Sequence, residues 1–107
     1  MRFGRVEGVV TRVVQGDQPA LRLTVYLETA HRLRIVREEI VPLLRPVRDA
    51  ADLAWHADQY TQETIGVQLA EEGWEPIGAG EIPSPEEGEL ARSATYAVRQ
   101  FPGGSAE

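Results

Sequence analysis

A chain of 107 residues has the size of one domain with a modest core. It contains no cysteine, which excludes disulfides, iron–sulfur clusters and thiolate zinc sites, and no apolar run approaches the roughly 20 residues of a membrane span. The net charge of −6 is uneven: residues 1–48 carry nine arginines and five acids, a balance of +4, and residues 49–107 carry two arginines and twelve acids, a balance of −10. Two halves folded against each other would neutralise much of this; an exposed first half would instead form a basic face with an acidic back. The expectation is a cytosolic single domain over residues 1–101, with a tail at 102–107.

The first half reads as strand. Val9, Val10, Val13 and Val14 lie in a β-branched run that ends at the turn-rich Gln15-Gly16-Asp17-Gln18-Pro19. Leu21, Leu23, Val25 and Leu27 then alternate with Arg22, Thr24, Tyr26 and Glu28, the pattern of a half-buried strand. Thr29-Ala30-His31 is a plausible hairpin connection, after which Leu33 and Ile35 alternate with Arg32 and Arg34. Beyond Val36 the signal changes. Leu33, Val36, Ile40, Leu43 and Val47 fit helical spacing, but Pro42 and Pro46 oppose a continuous helix. The third strand is therefore expected to stop near Val36, with an irregular or briefly helical passage from Glu38 to Leu44.

Asp49 to Ile77 reads as one long amphipathic helix, a glycine stop and a tryptophan leading into a strand. Asp49 can cap the first turn, and Asp52 adds negative charge where the helix dipole favours it. At about 100° per residue, Leu53, Ala54, Ala57, Tyr60, Thr61, Thr64, Ile65 and Val67 share one arc. Leu69 lies off that stripe and Trp55 on the far side, so these two are the candidate partner contacts. Gly66, between two β-branched residues, is the expected weak point, and Gly73 the expected left-handed stop. Trp74 to Glu81 is expected to be a strand, Pro83 to Gly88 an acidic proline-rich loop, and Ala91 to Phe101 the last strand, with Ala94, Tyr96 and Val98 on one face. The resulting fold class is α+β, in the order β-β-β-α-β-β, with an antiparallel sheet of about five strands packed on one long helix.

Leu69-Ala70-Glu71-Glu72-Gly73-Trp74-Glu75 resembles the helix-to-strand corner of a family of small bacterial domains of unknown function. In that family a helix ending in Gly-Trp-Glu is followed by a hairpin that closes on an aromatic, a basic residue and a proline; Tyr96, Arg99 and Pro102 stand in that order here. Pro76 replaces the usual aliphatic, and the three preceding strands are extra. The resemblance implies a packed corner and no activity. The strand order is also similar in topology to the oligonucleotide-binding barrel, which binds single strands with basic grooves and aromatic platforms. On that reading Arg12, Arg22, Tyr26 and Arg34 would form the nucleic-acid surface.

Catalytic chemistry has little to draw on. His56 follows Asp52 by one helical turn, with Asp58 and Glu63 nearby, but such surface pairs are common on helices. Ser84, Ser93 and Ser105 stand in no nucleophile motif, and Gly78 and Gly80 open no helix. No catalytic residue, metal ligand or cofactor is therefore assigned. The reading favoured by the sequence is a non-enzymatic binding or accessory module, acting through protein contacts or self-association. The alternative is a single-stranded nucleic-acid binder, which the acidic helix and the lone Tyr26 would limit to micromolar affinity or weaker.

Overall fold

Long strands dominate the architecture. The computed structural model describes residues 1–81 and 91–101, and the expected acidic loop at 83–88 and tail at 102–107 lie outside these. The elements are β1 (Arg2–Gln15), β2 (Gln18–Thr29), β3 (Leu33–Pro42), α1 (Ala50–Thr64), β4 (Trp74–Pro76) and β5 (Ala91–Gln100). They form one five-stranded antiparallel sheet in the order β3-β2-β1-β5-β4, packed on a single helix, which is the α+β class expected.

The period-two patterns set the inner face. Val6 pairs with Leu27 and Tyr96, Val10 with Leu23 and Arg92, and Gly8 with Val25 and Ala94. All of these point toward the helix and are buried. From the other side Leu53, Ala57, Ile65 and Leu69 enter the same core. The Asp49 side chain accepts a 2.8 Å hydrogen bond from the Asp52 N–H, as expected of the cap.

The helix does not run straight to Gly73. After Thr64 it passes through a π turn at Ile65–Leu69 and a 3₁₀ turn at Ala70–Glu72, with the Ala70 N–H bonded to the Ile65 carbonyl. This corrects two sequence expectations at once. Leu53, Ala57, Thr61, Ile65 and Leu69 recur every four residues, and in a regular α-helix each step of four drifts by about 40°. The wider π turn absorbs this drift. Leu69 is thereby brought fully into the core, whereas Val67, expected on the inner arc, is 59% exposed. The expected weak point at Gly66 falls inside the π turn.

The third strand also departs from expectation, continuing to Pro42 instead of ending near Val36. Its register with β2 shifts between Val25 and Tyr26, leaving Val36 as the extra residue of a bulge. The bulge breaks the alternation, and that break mimics helical spacing in the sequence. Pro42 is tolerated because it ends an edge strand. The strand expected from Trp74 to Glu81 is shorter, comprising Trp74–Pro76 and an isolated bridge between Glu81 and Thr95.

Ion pairs tie the basic first half to the acidic second. Arg34 on β3 meets Glu72 at 2.6 Å, and Arg37 meets Glu63 at 2.8 Å while lying over the Tyr60 ring. The charge asymmetry is thus partly neutralised within the fold. Arg37 also pairs with Glu39, and this hydrogen bond holds the Glu39 carboxyl below the usual range.

The corner after the helix matches expectation. Gly73 has φ 87°, and Trp74 is buried. A side chain at position 73 would be forced into the left-handed region, so Gly73→Ala is expected to cost about 1–2 kcal/mol. Chemical denaturation checks it.

On β5 the Tyr96 hydroxyl donates to the Asp58 carboxylate of the helix. Burial, reinforced by that carboxylate, pushes the phenol up to about 12. An unfolded tyrosine titrates near pH 10. The folded state therefore holds the proton more tightly, and the stabilisation is complete below about pH 10 and lost as pH rises toward 12. Tyr96→Phe is expected to cost about 1.5 kcal/mol at neutral pH and to flatten this alkaline loss. Melting temperatures of both proteins between pH 8 and about 12 test it.

Candidate protein-binding surface

Two surfaces present themselves: the sheet face turned away from the helix, and the groove beside Trp55. The outer sheet face carries Arg5, Glu7, Arg22, Tyr26, Glu28, Leu33, Ile35 and Ile40, since their register partners alternate with the buried rows. The four residues considered for nucleic acid do not assemble there. Arg22 and Tyr26 lie on this outer face. Arg12 stands opposite Leu21 and Arg34 opposite Leu27, which places both on the inner face. Arg34 is moreover engaged by Glu72.

The outer face is also not a basic groove. Arg5 pairs with Glu28 at 3.2 Å and Arg99 with Glu75 at 2.6 Å, while Glu7 and Glu38 add further negative charge. The sheet is open, with β3 and β4 as its edges, so no barrel closes among the described residues. Edge β3 is protected against strand pairing by Arg37, Glu38 and Glu39 at its middle and by the bulge.

The second surface begins where β3 ends. The passage from Leu43 to Arg48 crosses the end of the sheet, tied down by the Leu43 N–H to the Pro19 carbonyl and by the Gln18 side chain to the Leu43 carbonyl. Leu43 and Val47 turn inward against the core, so Leu44 is left pointing out and fully exposed. Trp55, on the first turns of α1, is 56% exposed and meets His56 edge-on, with ring centroids 5.1 Å apart. Between them lies a groove of about 510 Å³ lined by Pro42, Leu44, Arg45, Pro46, Arg48, Asp52 and Trp55 among others.

Its electrostatics are mixed in sign. The Asp52 carboxylate accepts a 3.0 Å hydrogen bond from the Arg48 N–H and lies 3.6 Å from the Arg48 side chain. The backbone donor first, and then the guanidinium, holds the Asp52 carboxyl below its usual range. Arg45 makes no ion pair among the described residues.

Of the two residues the sequence nominated for partner contact, Trp55 is available and Leu69 is not, because the π turn has placed Leu69 in the core. Sequence reasoning missed Leu44. The available signal was an apolar pair, Leu43-Leu44, between two prolines: a short tether can bury one member and must show the other. Among the described residues no group of three or more histidines or acids is placed to hold a metal ion, and no helix is long and apolar enough to cross a membrane. The chain matches no protein-family model, no curated protein and no solved structure.

Proposed function

We propose that this protein is a non-enzymatic protein-binding module that associates with a second copy of itself through the Trp55 groove. The observation that carries the reading is the pairing of Trp55 with the fully exposed Leu44 across one groove. Tryptophan and arginine are residues that often anchor interfaces, and here a half-exposed tryptophan and a fully exposed leucine line one groove together with two arginines.

A two-fold contact needs a surface complementary to itself. This surface has both signs of charge: Arg45 and Arg48 on the passage, Asp49 and Asp52 at the helix start. It also has both halves of an apolar contact. In a two-fold docking Trp55 of each copy packs on Leu44 of the other, and Arg45 approaches the opposing helix start. A single-stranded nucleic acid is the alternative partner. It has less support, since the outer sheet face places Arg22 and Tyr26 among paired arginines and acids.

Sedimentation equilibrium at tens of micromolar tests the proposal. The wild-type protein is expected to show the dimer mass, and Trp55→Ala and Leu44→Glu the monomer mass with little change in melting temperature of the dilute proteins. A wild-type monomer, or a dimer indifferent to both substitutions, overturns it.

A further inference from the structure

A separate groove lies on the other side of the Leu43–Val47 passage. It has a volume of about 550 Å³ and opens between the β1–β2 hairpin end and that passage. Val13, Ala20, Leu43 and Val47 line it, with two prolines, and its polar contributions come from Arg12 and Asp17. The size lies within the range of small-molecule sites, and so does the pattern of an apolar lining with few polar groups.

Arg12 is the anomaly. It sits on the inner face opposite Leu21, and its Nε is shielded from solvent with no hydrogen-bond partner among the described residues. Arg34 and Arg37, the inner-face arginines of β3, reach Glu72 and Glu63. No acid of the described residues pairs with Arg12, not even Asp17 of the same groove. A shielded guanidinium donor without an acceptor is unfavourable, and an oxygen anion supplied from outside relieves it.

We infer that this groove is a binding site for a small apolar carboxylate, with the carboxylate on the Arg12 guanidinium and its hydrocarbon chain along Val14, which shares the Arg12 face of β1, and along Leu43 and Val47. The planar guanidinium matches a carboxylate in a two-point contact. Asp17 at the same groove disfavours a doubly charged phosphate, and the apolar lining disfavours a small hydrophilic anion. Trp55 and Leu44 lie in the other groove, and the two grooves share only Leu43 and Pro46 of the passage between them.

Calorimetric titration with decanoate and decylammonium below their micellar concentrations, and with decanol below its solubility limit, tests the charge requirement on the wild-type protein. Decanoate is expected to bind at least ten-fold more tightly than decanol, and decylammonium not at all. Arg12→Met keeps an unbranched apolar stem and removes the guanidinium and its charge. It is expected to fold, to melt no lower than the wild type, and to bind decanoate and decanol alike. Equal binding of decanoate and decanol by the wild type overturns the inference, as does no decanoate binding below millimolar. So does an Arg12→Met protein that is unfolded or destabilised, because Arg12 would then be a structural residue.

Discussion

Valine in place of Gly8 is expected to destabilise the fold by about 3 kcal/mol or more, at the upper end of what overpacking a core costs. Gly8 lies at the centre of β1, between Val25 and Ala94, with Thr61 of the helix packed directly against it. A Cβ atom at this position would lie 1.9 Å from Thr61 Oγ1 and 3.1 Å from Thr61 Cβ. Thr61 cannot turn aside without loss: it is fully buried and its hydroxyl donates to the Ala57 carbonyl at 2.6 Å. Of its other two rotamers, one brings the methyl group into that space and the other moves the hydroxyl out of its present position on the Ala57 carbonyl, while Thr61 Cβ stays 3.1 Å from the added atom in both. Relief therefore costs either a buried hydrogen bond or a shift of the helix off the sheet. Alanine at position 8 should show the same effect in smaller measure, against the slight gain from replacing glycine in a strand. The double variant Gly8→Ala/Thr61→Ala should recover a coupling of about 1–3 kcal/mol relative to the sum of the singles. Urea denaturation of the four proteins measures it. A cost below about 1 kcal/mol for Gly8→Ala, or no recovery, would show that the helix accommodates the extra atom.

That contact has no signature in the sequence, and the reason is general. A glycine among valines reads as a weak strand residue until the partner across the core is known. The strand from Leu21 to Leu27 was legible because one of its faces is buried and the other is not, and the same holds for Ala94 to Val98. The run from Val9 to Val14 was legible as a strand but not as to which way Arg12 points, since apolar residues occupy both faces. The sequence alone therefore does not separate Arg12 from Arg22, although the two face opposite sides of the sheet. At Val36 one bulged residue shifts the alternation, and the six residues of strand beyond it, Arg37 to Pro42, look like broken helix. At Leu69 the π turn changed the helical phase, so that a core residue looked like a surface one. Trp55 was legible because it precedes that phase change. In each case sequence periodicity holds until the backbone gains or loses one residue per turn, and it misleads from that point on.

The corner at Trp74 offers the other large expected effect. Trp74 follows the left-handed Gly73 directly, so the end of the helix and the start of β4 together fix where its ring lies. It is 4% exposed and packs in the same cluster as Ile65 and Leu69, while the Arg2 guanidinium covers the ring at 5.8 Å. The short β4 strand has only three residues paired with β5, too few to hold the sheet edge unaided. Trp74→Ala removes the largest side chain of this corner and leaves a cavity between the π turn and the edge strand, and is expected to cost about 3–5 kcal/mol. Trp55 then serves as both control and reporter. It is half-exposed, so Trp55→Ala should change the stability of the dilute monomer by no more than about 0.5 kcal/mol. It also remains the sole tryptophan of the Trp74→Ala protein, through which its unfolding can be followed. Denaturation in urea at concentrations where the protein is monomeric compares the three. Equal costs at positions 55 and 74 would mean that the corner does not anchor the edge of the sheet.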